Sequence, residues 1–432
     1  NKLVFTPAAN ANGAGYASFT FQVQDNGGVA NSGVDLDGTA RTMTVNVTSV
    51  NDAPVGTNNT VTTLEDTAYT FTAADFGFTD PTDAASAAGA NALLNVKITT
   101  LPGAGTLRDN GLAVSAGDFV SVADINANKL VFTPAANANG AGYASFTFQV
   151  QDNGGVANGG VDLDAAARTM TIDVTSVNDA PVGANNTVTT LEDTAYTFTV
   201  ADFGFTDPTD AASVAGANAL TAVKIVALPG AGTLTNNGVA VNAGDFVSVA
   251  DINAGKLVFT PVANANGAGY AAFTFRVQDD GGVANGGVDL DTAARTMTVN
   301  VTSVNDAPAG TNKTVTTLED TTYTFTAADF GFTDPTDAAS VAGANALTAV
   351  KITALPGAGT LQDNGVAVNA GDFVSLADIN AGKLVFTPVA NANGAGYAAF
   401  TFQVQDDGGV ANAGVDLDTA ARTMTVNVTS VN

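Results

Sequence analysis

The chain repeats itself every 127 residues with no insertion or deletion. Asn51-Asp52-Ala53-Pro54 returns as Asn178-Asp179-Ala180-Pro181 and as Asn305-Asp306-Ala307-Pro308, and Asn432 stands where a further copy would begin. Self-similarity at a fixed period marks an array of units that contact their neighbours, and such arrays span, display or bind. The expected organisation is a partial copy over 1–50 and complete copies over 51–177, 178–304 and 305–432. A period of this length is the size of a domain with its own core, and it is several-fold too long for one rung of a β-solenoid. Residue 1 falls at position 78 of the period, so the sequence is expected to be a window on a longer chain.

The chain carries a formal net charge of −27, and its only glutamates are Glu65, Glu192 and Glu319, one per period at the same place. So acidic a surface repels nucleic-acid phosphates and anionic membranes, while carboxylates are the hard oxygen ligands that Ca²⁺ takes. Cysteine, histidine and tryptophan are absent, which removes thiolate and imidazole metal ligands, disulfides and the usual nucleophile and base pairs. An enzyme is not expected. No apolar run approaches the ~18 residues of a membrane-spanning helix, and the amino end lacks a basic region followed by a short apolar one, so neither membrane insertion nor a leader is expected within this segment.

Gly, Asn, Thr, Val and Ala outweigh Glu, Lys and Leu, which favours strands and turns. In 178–304, proline holds the Asn178–Pro181 linker extended. Residues 187–191 read as a first strand, Glu192-Asp193 as a turn, and 195–203 as a second strand with Tyr196 and Phe198 on one face. Asp207-Pro208-Thr209-Asp210 reads as a turn and 220–228 as a third strand. Residues 232–241 read as a hairpin around Asn237-Gly238. The clearest two-residue alternation follows at 256–261, 272–278 and 295–302, where Met297, Val299 and Val301 face inward. About seven short strands in a unit of this length predict an all-β, immunoglobulin-like sandwich, with tandem copies arranged end to end.

Strands of such a sandwich, lettered A to G, run alternately up and down, so the A–B and E–F turns share the pole from which G leaves, and the B–C and F–G loops share the opposite one. This places Glu65 and Asp66 beside the linker residues Asn178 and Asp179, with Asp207, Asp210 and Asp279 of the following copy just beyond. Seven oxygen-bearing side chains from four segments match the six to eight oxygens of a Ca²⁺ site. The next junction carries Glu192, Asp193, Asn305, Asp306, Asp334, Asp337 and Asp406. At the first, Asn51, Asp52, Asp80, Asp83 and Asp152 are present without a glutamate turn. Turn formation is the plainer role for these Asp and Asn residues.

The linker SVNDAP, the LEDT turn, the FTDPTD loop, the run KLVFTPxANANGAGYxxFTFxVQD and the closing TMTVNVTSVND together resemble the cadherin-like and VCBS-type tandem repeats of large bacterial surface adhesins and biofilm proteins. The resemblance covers the whole chain and implies an immunoglobulin-like sandwich with interdomain calcium. The linker is shorter than the cadherin D-x-N-D-N-x-P, and asparagines such as Asn137 and Asn139 occupy the E–F turn where cadherins place acidic residues.

The leading expectation is therefore a non-catalytic extracellular structural or adhesive array, a calcium-stiffened rod whose partners are neighbouring repeats. A second is the subunit of an extracellular filament or sheath, in which strands E to G of residues 1–50 are completed by an identical subunit. A third, a carbohydrate-binding module, needs exposed aromatics, for which Phe76 and Phe78 are the only loose candidates. The Asp-Leu-Asp pairs Asp35/Asp37, Asp162/Asp164, Asp289/Asp291 and Asp416/Asp418 read as a solvated loop or as a second metal site. Lys97, Lys224 and Lys351 are expected to face solvent.

Overall fold

Alternation of apolar and polar residues makes Arg295–Thr302 a strand with one buried face, on which Met297, Val299 and Val301 lie. The segment recurs as Arg168–Thr175 and Arg422–Thr429. In the computed structural model, which describes residues 2–432, each belongs to a five-stranded sheet. For 178–304 the spatial order is Asn186–Leu191, Arg295–Thr302, Gly267–Asp279, Leu220–Ala227 and Phe246–Ser248. The first pair is parallel, with Val188 beside Val299, and the others are antiparallel.

A second sheet sets Tyr196–Thr197, Leu257–Thr260, Thr233–Asn236 and Val239–Ala240 side by side. The two sheets close over Phe198, Phe203, Phe259, Phe273, Phe275 and Met297. Phe198 meets Phe273 edge-on at 5.4 Å and Phe203 meets Phe275 at 4.9 Å, the geometry ring quadrupoles favour. Sheets of the same order and equivalent cores recur over 51–177 and 305–432. The fold is all-β, an immunoglobulin-like sandwich repeated in tandem.

The chain packs as two compact units. One runs up to Asp179 and includes Asp207–Asn218 and Gly281–Val288; the other holds Ala180–Thr206, Ala219–Asp280 and Asp289–Asn432.

Several short elements differ from their sequence reading. The strand expected over 195–203 is only Tyr196–Thr197, and Val200–Phe203 is a 3₁₀ turn. Asp202 stops the strand by accepting the backbone N–H of Thr199 at 2.7 Å, a local capping box that competes with sheet pairing. Asp207-Pro208-Thr209-Asp210 starts a single helical turn, Pro208–Ala211, with Asp207 in the capping position and proline first. The hairpin forms where expected, with Asn237 and Gly238 at φ 53° and 75°. Residues 2–7, read as strand E of the partial copy, form no strand. In the complete copies this strand pairs with segments such as Tyr69–Thr70 and Thr106–Asp109, which have no counterpart in residues 1–50. The partial copy is a two-stranded pair, Gly13–Phe21 with Arg41–Val47.

Candidate metal centre

The strand Asn59–Leu64 ends in Glu65-Asp66, with Asp66 at φ 55° reversing the chain. Glu65 continues the ladder through its own N–H to Thr175 O at 2.9 Å, and its side chain turns inward, only 4% exposed. Three donors hold it there: Val177 N at 2.5 Å, Asn139 Nδ2 at 2.9 Å and Ser176 Oγ at 3.2 Å. Asp66 Oδ1 accepts from Asn137 N at 3.0 Å. The asparagines of the E–F turn thus hold the two acidic residues of the A–B turn. Glu192 is held in the same way by Val304 N, Asn266 Nδ2 and Ser303 Oγ.

The Pro208–Ala211 turn buries Asp210, whose Oδ2 accepts from Asp179 N at 3.0 Å and Asn218 Nδ2 at 3.3 Å. The result brings one carboxylate oxygen each from Glu65, Asp179 and Asp210 within 4.8 Å of one another, and Glu192, Asp306 and Asp337 repeat the arrangement. Alongside, Asp207 and Asp334 each spend one oxygen on a backbone N–H, of Asn218 at 2.6 Å and of Asn345 at 2.7 Å. Their other oxygens, both Oδ1, are buried without a partner.

Among the described residues no lysine or arginine is paired with any of these carboxylates. Like charges at about 4 Å repel by roughly 4 kcal/mol per pair at an effective dielectric near 20, so the cluster is costly while ionised. Burial pushes the Asp210 carboxyl up to about 6, with Asp207, Asp179 and Glu65 adding to the effect. Asp179 is raised by burial and then by Glu65, Asp66 and Asp207. Asp306 is raised by burial and by Asp337, Glu192, Asp193 and Asp334, and Asp337 by burial, Asp334 and Glu192. Asp66, Asp193, Asp207 and Asp334 therefore share the field of the clusters.

Asn178 does other work. Its amide donates to the carbonyls of Gly282 at 3.1 Å and Val288 at 2.9 Å, and its Oδ1 accepts from Asn218 Nδ2. A methyl group on Gly281 would overlap that oxygen, which explains a glycine there. Asn51 and Asn305 brace Asp152 and Asp406 through their amides, at 2.9 and 3.0 Å. Asp279 is buried on its own strand. Around 51–177, Asp83 Oδ2 accepts from Asp52 N at 2.9 Å and Asp80 Oδ2 from Asn91 N at 2.6 Å, while Asp80 Oδ1, Asp152 Oδ2 and Asp406 Oδ2 are buried without partners. No glutamate joins this set. Glu319, held by Val431 N and Asn393 Nδ2, is half-exposed where Glu65 and Glu192 are buried.

Sequence reasoning missed Asn91, Asn218 and Asn345, which link the linker asparagine to the helical-turn aspartates. Their signal is one amide recurring inside an otherwise Ala- and Gly-rich crossing. The Asp-Leu-Asp pairs are not simply solvated. Asp164 is 2% exposed and binds Arg168 at 2.9 Å and Gly56 N at 2.9 Å, so its negative charge is spent within the fold. Phe76 is a fully buried core residue, and Phe78 is half-buried against the same core, which removes both from an aromatic platform. Within the three complete copies the aromatics that reach the surface are Phe119, Phe246 and Phe373, each about half exposed, with Lys97, Lys224 and Lys351 over their rings at 5.5, 5.2 and 5.4 Å.

No family model and no curated protein matches the chain. Similar solved structures include extracellular cadherin domains 3–6 of protocadherin gamma B2, with TM-score 0.40 and 12% identity over 96% of this chain and 83% of that one. Repeats EC1–3 of mouse protocadherin-24 give TM-score 0.39 and 11% identity over 77% and 90%. The human desmocollin-1 ectodomain gives 0.29 and 10% over 96% and 68%. By its strand order and its parallel first and last strands, the architecture is one of tandem immunoglobulin-like β-sandwiches. Among the described residues no helix is long and apolar enough to cross a membrane.

Proposed function

We propose that this chain is a non-catalytic extracellular array, the calcium-stiffened rod of a bacterial surface adhesin or biofilm matrix protein, with repeat units bounded at 51, 178 and 305. The observation that carries the reading is the meeting of Glu65, Asp179 and Asp210, three carboxylates from three segments of two successive copies, with no lysine or arginine paired to them among the described residues. The donor set is all oxygen, as Ca²⁺ requires, and the unpartnered Asp207 Oδ1 and Asp334 Oδ1 add one more buried oxygen to each group. Glu65, Asp179, Asp207 and Asp210 would hold one ion with Asp66 beside them; Glu192, Asp306, Asp334 and Asp337 would hold the second beside Asp193. A bound cation supplies the positive charge that converts repulsion among these carboxylates into attraction. Val177, Asn139 and Ser176 hold Glu65 in place beforehand, so little ordering is left for binding. Extracellular modules bind calcium at ~10⁻⁴–10⁻³ M, a range in which surroundings outside cells keep such sites filled.

Thermal unfolding and small-angle scattering of the full chain, in calcium and in chelator, test the reading. A higher unfolding temperature and greater solution length in calcium are expected; identical values in both would overturn it.

A further inference from the structure

The middle copy departs from the other two complete copies at one position. The strands Thr106–Asp109, Thr233–Asn236 and Thr360–Asp363 end in Asp109, Asn236 and Asp363, in the same register opposite Leu130, Leu257 and Leu384. Beside each stands an aspartate on a short helix: Asp124, Asp251 or Asp378. In the middle copy the Asn236 amide donates to Asp251 Oδ2 at 3.2 Å. The other two lack that donor and keep only the serine of the helix cap: Ser121 Oγ and Ser375 Oγ donate to Asp124 Oδ2 and Asp378 Oδ2, each at 2.7 Å, as Ser248 also does toward Asp251.

A lysine binds the opposite oxygen of the helix aspartate in all three copies, Lys129, Lys256 and Lys383 at 2.8 Å. It answers one carboxylate, and where there are two the second is left over. Asp109 Oδ1 and Asp363 Oδ1 are enclosed and accept nothing, as is Asn236 Oδ1, and both aspartates stand in the register of Asn236, so a protonated carboxyl there would offer the kind of donor that the Asn236 amide supplies. We propose that Asp109 and Asp363 are proton-holding carboxyls: on acidification each takes a proton from solvent and donates it to Asp124 or Asp378. Two copies then tighten in acid, while the middle copy, with its permanent amide donor, does not respond.

The charged groups facing Asp109 are Asp124 and Lys129; Asp118 lines the same groove with its Oδ2 engaged by Ser115 N at 2.7 Å. Facing Asp363 are Asp378 and Lys383. Burial raises Asp109 and the Asp124 charge raises it further, against Lys129 and a hydrogen bond from the Asn110 backbone; Asp363 is raised by burial and Asp378 against Lys383. A carboxyl raised in the folded state costs stability as pH climbs from its ordinary value through the raised one, and the cost is absent in acid. None of these groups belongs to the clusters assigned to calcium.

The test is thermal unfolding of the full chain between about pH 4 and 7.5 in chelator and in calcium, for the wild type, an Asp109→Asn, Asp363→Asn double variant and an Asn236→Asp variant. The double variant should unfold a few degrees above the wild type near neutrality and level with it in acid. Asn236→Asp should unfold earlier near neutrality only. Carbon-detected NMR of the Asp109 carboxyl, expected to titrate above the ordinary aspartate range, reads the proton independently of stability. The proposal is overturned if Asp109 titrates in the ordinary range, if Asn236→Asp adds no pH dependence, or if calcium abolishes the double variant's gain, which would assign the pair to a cation instead.

Discussion

Val177 donates its backbone N–H to Glu65 Oε1 at 2.5 Å, across 112 positions of sequence. The bond joins the turn after the first strand to the chain leaving the last, one residue before the linker asparagine. The glutamate is thus positioned by the backbone it has to address.

Changing the equivalent residue separates charge from shape. Glu192→Gln keeps an acceptor for Val304 N but sets an amide against the donating amide of Asn266. Calcium affinity at that junction should fall at least about tenfold, or ~1.4 kcal/mol, while Lys224→Gln leaves it unchanged. Calorimetric titration of both variants decides; equal affinities would remove Glu192 from the site.

Without calcium the chain should be more stable in mild acid. The Asp210 carboxyl is pushed up to about 6 in the folded state against an ordinary 3.8, so the folded chain binds the proton more tightly and its stability falls as pH rises across that window. The gap corresponds to about 3 kcal/mol at most. Unfolding temperature measured in chelator should rise from pH 7 to pH 5, and excess calcium, which favours the ionised form, should flatten the trend.

Arg295→Met should be among the most damaging changes that leave the junctions alone. It strands Asp291, 1% exposed and paired to Arg295 at 2.8 Å, and an uncompensated buried charge costs about 3 kcal/mol or more. The equivalent Arg41–Asp37 pair is open to solvent, and Arg41→Met should change the denaturant midpoint little.

Gly232→Ala should unfold its sandwich far more readily. Gly232 sits at φ 70°, and an added Cβ would lie 2.6 Å from Phe259 Cζ and 2.7 Å from Thr260 O. Strain and overlap together should cost over about 2 kcal/mol, read as a lower chemical-denaturation midpoint. Gly238→Ala has φ 75° but open space around it and should cost less.

The alternation in Arg295–Thr302 was readable because a half-buried strand imposes it on every residue, and the strand has those bounds. The strand over 195–203 was overread because Tyr196, Phe198 and Phe203 are all core-facing, yet Thr199 and Asp202 close a capping box between them that apolar spacing does not register. Phe246–Ser248 and the helix Val249–Asn253 escaped because a short run such as Phe-Val-Ser-Val-Ala-Asp-Ile-Asn carries neither period long enough. At the site, the meeting of Glu65 with Asp179 and Asp210 followed from strand direction alone. The bracing by Asn178 and Asn218 did not, because an amide serves equally as ligand, cap or brace until its neighbours are known.

The parallel seating of Asn186–Leu191 on Arg295–Thr302 bears on tension. Because the first and last strands of the sandwich run side by side in one direction over six paired positions, a pull on the two chain ends draws them past each other lengthwise. Every hydrogen bond of that ladder is loaded at once and must fail together, where an antiparallel terminal pair pulled from one end would peel apart one bond at a time.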